Sequence, residues 1–253
     1  MATIQEIKVQ VENANTLGVS NLIKKGVEIE EGATTYDVMR NIAHIVSGDE
    51  ERKRFWDAFT GDKTMTNYTN AFQNQKGANK WNTQTFRPPY QLVPMVCNNM
   101  FENFNRARFG DAATITPEVV DFSNCTEAKS TFRNAVVSPL VVDFSNVTVM
   151  SYSFATEDGG QMKNTIIKVT EKLTSVSNAF LHNIYGATFT DDSVIACSVS
   201  FAQSSALSEA SLQSIINALA TVTSAKTITL HSAVKVSDEQ KAVIKSKGWT
   251  LVQ

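Results

Sequence analysis

The sequence is short of the residues that usually announce a function. In 253 residues there are three histidines, three cysteines, five prolines and 11 glycines. No run approaches the roughly 18–20 apolar residues needed to cross a bilayer, so no membrane span is expected. Basic and acidic side chains number 23 and 25, a net charge of −2. That balance argues against nucleic-acid binding, which normally leaves a basic excess on one face. The opening MATIQEIKVQVENAN interleaves polar and apolar positions. It lacks the unbroken apolar stretch of a secretory signal, so no signal peptide is expected and synthesis is placed in a cytosol.

The chemical search returns little. His44, His182 and His231 have no Cys, Asp or Glu at metal-ligand spacing, and neither H-E-x-x-H nor paired cysteines occur. There is no G-x-S-x-G elbow and no Gly-rich phosphate loop. Nothing places two carboxylates across a cleft, as a glycosidase requires. No catalytic residue, metal or cofactor is therefore expected. The acidic turns Glu157-Asp158-Gly159-Gly160 and Asp191-Asp192 leave calcium as the one alternative. Cys97, Cys125 and Cys197 are an odd set, far apart in sequence, and read as buried small hydrophobes rather than a disulfide or a metal site.

What is present is a foldable chain rich in Asn, Thr and Ser, with 42% apolar and only 19% charged residues. Short polar side chains that bond nearby backbone suit a fold of tight, repeated turns. Residues 1–48 read as two helices. Thr3 with Glu6 opens the first, striped by Ile4, Ile7, Val11 and Ala14 and closed by Gly18. Thr34 with Asp37 opens the second, striped by Val38, Ile42 and Ile45 and closed by Gly48. A surface helix, Asp49–Phe59, follows.

The strongest signal is an internal repeat. VVDFSNCTEAKSTF (119–132) and VVDFSNVTVMSYSF (141–154) match closely and start 22 residues apart by subtraction. Their second half recurs as MTNYTNAF (65–72) and LTSVSNAF (173–180), and PMVCNNMF (94–101) is a degenerate copy that keeps the final Phe. Periods of about 20–30 residues indicate a solenoid, in which each unit is too small to bury its own apolar side. Alternation in VVDFSN puts Val120 and Phe122, and likewise Val142 and Phe144, on the inner face of a short strand. Asp121, Ser123, Asp143 and Ser145 then face outward as candidate ligand-binding residues. Phe72, Phe132, Phe154 and Phe180 are expected to stack as an internal ladder, each burying about 150 Å² or more.

Residues 193–203 read as a buried strand and 207–222 as an amphipathic helix, with Leu212, Ile215, Ile216 and Leu219 on one side. A strand over 226–233, a helix capped by Ser237 with Gln240 and ended by Gly248, and a final strand complete the chain. The expected fold is α/β: a helical segment (1–48), an irregular solenoid of short parallel strands (49–204) and a helix/strand cap (205–253) that covers the last apolar layer.

VDFSNVTVMSYSF resembles the repeat of BspA-like leucine-rich-repeat proteins, whose units run D-x-S-N-V-T-x-M-S-x-x-F. The resemblance spans roughly 59–203; leucine is largely replaced by Val, Phe and Ile, and the unit near Pro94 is eroded. The closing segment resembles caps attached to such repeats in phage and prophage proteins, and the opening one resembles phage structural proteins of gut bacteria. These resemblances imply a phage virion structural protein: a fibre, decoration or receptor-binding subunit. It would be made in the host cytoplasm and located in the virion. It would attach to other virion proteins through residues 1–48, form a dimer or trimer, and recognise a host-surface glycan or protein. A bacterial BspA-like adhesin is the alternative, and a tail-associated glycan hydrolase the third.

Overall fold

The computed structural model describes residues 65–74, 86, 88, 90–105, 113–157 and 161–253, all within the unit Asp62–Gln253. The helices read in 1–48, His44, the Asp49–Phe59 helix and Asp158–Gly160 lie outside the described residues.

The described chain is α/β, with short parallel strands in two sheets. The first contains β1 (Ala113–Ile115), β2 (Val136–Phe144), β3 (Gln161–Met162), β4 (Thr165–Val169) and β5 (Thr188–Phe189), in the order β1-β2-β4-β5 with β3 also against β2. The second contains β6 (Val199–Phe201), β7 (Lys226–Leu230) and β8 (Trp249–Val252) in chain order. Helix α1 (Glu209–Ala218) connects β6 to β7, and α2 (Asp238–Ser246) connects β7 to β8. Every strand pairing in both sheets is parallel.

Strand β2 forms because β-branched residues alternate burial along it. Leu140, Val142 and Phe144 point inward, while Val141 and Asp143 are half-buried. Its register on β4 runs from Leu140 opposite Thr165 to Phe144 opposite Val169. The first repeat copy differs. Val120 is joined to Leu92 by a single parallel bridge instead of lying in a strand. The carbonyl of Thr116 takes the N–H groups of both Val119 and Val120 at 2.9 Å, so the chain around Pro117 is committed to a turn. Val120 and Phe122 are nonetheless fully buried. The stretch 193–203 is likewise broken: Ile195 bridges to Leu219, and only Val199–Phe201 is strand.

The closing elements follow their sequence signals. Ser208 caps α1, and Leu212, Ile215, Ile216 and Leu219 are buried. Ser237 and Gln240 form a reciprocal capping box on α2. Gly248 takes φ +86°, and a Cβ there would lie 2.2 Å from the Val222 carbonyl oxygen, which leaves glycine as the residue that fits. Beside it, the Lys247 ammonium donates to the carbonyls of Ile216, Asn217 and Leu219 at 2.7–2.9 Å, satisfying the C-terminal end of α1. Burial lowers the Lys247 pKa.

Phenylalanine organises the core. Phe72, Phe101, Phe132, Phe154, Phe180 and Phe201 lie in one column with successive ring centroids 5.0, 5.3, 5.9, 5.5 and 4.5 Å apart, each pair stacked. Phe122 and Phe144 flank the column, Phe122 edge-on to Phe132 at 5.6 Å and Phe144 tilted against Phe154 at 6.0 Å. A second series of contacts runs parallel to the rings. Bridges join Asn67 to Val96, Val96 to Glu127, Glu127 to Val149, and Val149 to Ser175. These residues stand five places before Phe72, Phe101, Phe132, Phe154 and Phe180.

Backbone conformation repeats in the same frame. The residue two before the ring has positive φ in five segments: Asn70, Asn99, Ser130, Tyr152 and Asn178, at 52–61°. The residue two after it does so in four: Asn74, Asn103, Asn134 and His182. The N–H groups at alternate positions therefore all point toward the following segment. Tyr68, Asn70, Phe72 and Asn74 donate to the carbonyls of Val96, Asn98, Met100 and Glu102 at 2.8–3.0 Å. The intervening N–H groups of Ala71 and Gln73 close local turns to Tyr68 and Asn70. Asparagine is favoured at these positions because it tolerates the left-handed region better than other non-glycine residues.

Candidate binding surface

The outward residues of the two long repeat copies are held by their own backbone. Asp121 accepts from the Ser123 N–H at 2.9 Å, and Asp143 accepts from the Ser145 N–H at 2.9 Å and from the Ser145 hydroxyl. The D-x-S spacing is thus an Asx turn, which in the second copy ends β2. It brings Asp121, Ser123, Asp143 and Ser145 to a half-buried rim. Neighbouring segments are tied along this rim. Asn146 donates to the Ser123 carbonyl at 2.6 Å, Lys172 to the Asn146 side chain at 2.5 Å, and the Thr170 hydroxyl to the Ser145 carbonyl at 2.7 Å.

Beside the rim, Lys168 lies 4.0 Å from the second oxygen of Asp143 and 2.7 Å from Asp192. The hydrogen bond to Asp192 raises the Lys168 pKa, while Lys168 and then the Thr190 hydroxyl hold the Asp192 carboxyl below its usual range. Asp192 is therefore an ion-pair partner. Among the described residues, no three His, Cys, Asp or Glu side chains gather as a metal site. His231 instead accepts the Ala233 N–H at 3.0 Å in a turn.

A second set of side chains, in the residues just after the rings, carries features that sequence reasoning did not single out. Gln73 donates to Glu102 at 2.5 Å, and Arg133 stands 3.5 Å from Glu102 and 2.5 Å from Glu157. These four side chains link four successive segments, with the Arg133 guanidinium also 5.7 Å from the Tyr152 ring centre. The Glu157 carboxylate raises the Arg133 pKa. Asn103 donates to Asn74 at 2.9 Å and Asn134 to Asn103 at 3.3 Å, making a side-chain ladder. The signal was available: three repeat copies place Asn two residues before the Phe, and three segments place it two after.

An open cleft of about 490 Å³ lies between the two helix N-termini, lined by Leu207, Leu212, Val234, Ser208, Ser237 and Gln240. Ser208 and Ser237 accept N–H groups of their own helices, so both hydroxyls serve as caps there. Among the described residues, no helix is long and apolar enough to cross a membrane. Comparison of the chain with protein families, curated proteins and solved structures finds no match.

Proposed function

We propose that residues 49–204 form an irregular leucine-rich-repeat-like solenoid closed by the 205–253 module, and that the chain is a non-enzymatic structural subunit of a phage virion. In this reading residues 1–48 attach the subunit to other virion proteins, the assembly is a dimer or trimer, and the repeat surface recognises a host-surface glycan or protein. The column of six stacked phenylalanines is the observation that carries it. A core continuous from layer to layer supports an extended rigid surface. Rigidity reduces the ordering cost of binding. Asp121 and Asp143, fixed by their Asx turns, supply pre-set acceptors for sugar hydroxyls or peptide N–H groups.

Two measurements test this reading. Mass spectrometry of purified particles is expected to find the chain; its recovery only from the surface of intact cells without phage induction would favour the adhesin. Binding of the purified chain to host cells is expected to weaken about tenfold or more in Asp121→Asn/Asp143→Asn. That variant keeps an oxygen to cap each turn, so unchanged binding would remove this rim from the reading. Turnover of capsular polysaccharide by the purified chain would replace it with a hydrolase.

A further inference from the structure

In the first four pairings of successive segments, the residue four before one ring and the residue seven before the next are both buried, and most are ordinary packing residues. Neighbouring segments carry Tyr68 and Pro94, Ala128 and Val147, or Met150 and Leu173 at this pair of positions. Between the second and third segments the pair is Cys97 and Cys125, both buried, with their sulfurs 2.6 Å apart. Each sulfur also lies 3.2 Å from the Glu127 carbonyl oxygen, so both thiols are aimed into the same small volume. The third cysteine, Cys197, is four residues before Phe201. Three ring-to-ring steps, through Phe154 and Phe180, separate Phe201 from Phe132, the ring of the Cys125 segment.

We propose that Cys97 and Cys125 are a matched dithiol that closes into a disulfide between adjacent layers when the chain folds in contact with a low-molecular-weight disulfide. In the reaction one cysteine thiolate attacks the small disulfide, forming a mixed disulfide and releasing one small thiol. The second cysteine thiolate then attacks the protein sulfur of that mixed disulfide and expels the second small thiol. The two protein thiols are oxidised, one small disulfide is reduced to two thiols, and both cysteine protons end on the released thiolates.

Timing follows from burial. Desolvation, then the contact with Cys125, pushes the Cys97 thiol well above its ordinary value. Thiolate, the attacking species, is therefore scarce in the folded chain, and exchange belongs to the folding chain before the layer closes. The bond would close a loop between residues 97 and 125 and thereby restrict the unfolded chain.

The test uses the full chain, reduced, unfolded in urea and refolded at pH 8 with oxidised glutathione. Alkylation under denaturing conditions without reductant is expected to find one thiol per chain, on Cys197. The intact mass should be about 2 Da lower, with a peptide linking Cys97 to Cys125. Cys197→Ser, refolded identically, should keep the link and leave no thiol. The oxidised form should melt higher than the reduced form by on the order of 5–10 °C. Three free thiols, glutathione adducts alone, or a link through Cys197 would each overturn the proposal.

Discussion

Phe132 sits mid-column: its ring stacks on Phe101 and Phe154 and meets the edge of Phe122. Truncation to alanine removes three ring contacts at once and leaves a cavity that layers above and below cannot close. Phe132→Ala is expected to cost about 3–5 kcal/mol, measured by urea unfolding. A gain is available two residues earlier. Ser130 holds φ +52° at a position where three other segments use asparagine: Asn70, Asn99 and Asn178. Ser130→Asn should raise stability by roughly 0.5–1 kcal/mol in the same assay, because asparagine pays less for that conformation.

Charge at the strand rim gives a pH signature. Asp192 has its pKa lowered by Lys168, so the stabilisation is complete above the unfolded carboxylate pKa and disappears as pH falls through the folded one. Lys168 has its pKa raised by Asp192, so the same contact persists until pH rises through that higher value. The difference in urea midpoint between the wild type and Asp192→Asn should be flat from about pH 5 to 9 and shrink toward pH 3. A difference that grows in acid would show the pair to be unfavourable.

Among elements, legibility tracked how local the cause was. Helices α1 and α2 and strands β7 and β8 were readable because caps, periodicity and a stop glycine sit in adjacent residues. The strand expected at Val120 was lost to a competitor outside the repeat, the Thr116 carbonyl, which the 119–132 pattern does not contain. The rim carboxylates Asp121 and Asp143, expected to face outward, are half-buried, and their capping of the Ser123 and Ser145 N–H groups depends on backbone direction after Phe122 and Phe144. The Arg133 chain joins residues 24–31 positions apart whose identities, Gln, Glu and Arg, do not recur in the repeat, so the register that announced the rings did not announce it. Gly248 is the sharpest element-scale test. Gly248→Ala combines positive φ with a carbonyl 2.2 Å from the new Cβ, so it should destabilise by more than about 1 kcal/mol and detach β8 first in thermal melts.

Across the whole described unit, stability should spread along the ring column. The segments from Phe72 to Phe180 share four forward backbone hydrogen bonds per step as well as ring contacts, such as Cys97, Asn99, Phe101 and Asn103 donating to Glu127, Lys129, Thr131 and Arg133. Loosening one layer therefore exposes donors in the layer before it and acceptors in the layer after. In Phe132→Ala, amide exchange is expected to accelerate in 97–104 and 149–156 together, while the distant α2–β8 module keeps its protection. Acceleration confined to 125–135 would show that layers open independently.

Every successive pair of rings stays stacked at 4.5–5.9 Å, yet along the chain the same phenylalanines are spaced unevenly, 29, 31, 22, 26 and 21 residues apart by subtraction. The stacking of the rings is thus independent of how many residues separate them in sequence. A column of that kind can acquire or shed peptide between its phenylalanines without altering their contacts. Grafted epitopes or affinity tags belong in sequence well away from the rings, and the ring-bearing segments themselves should be left untouched.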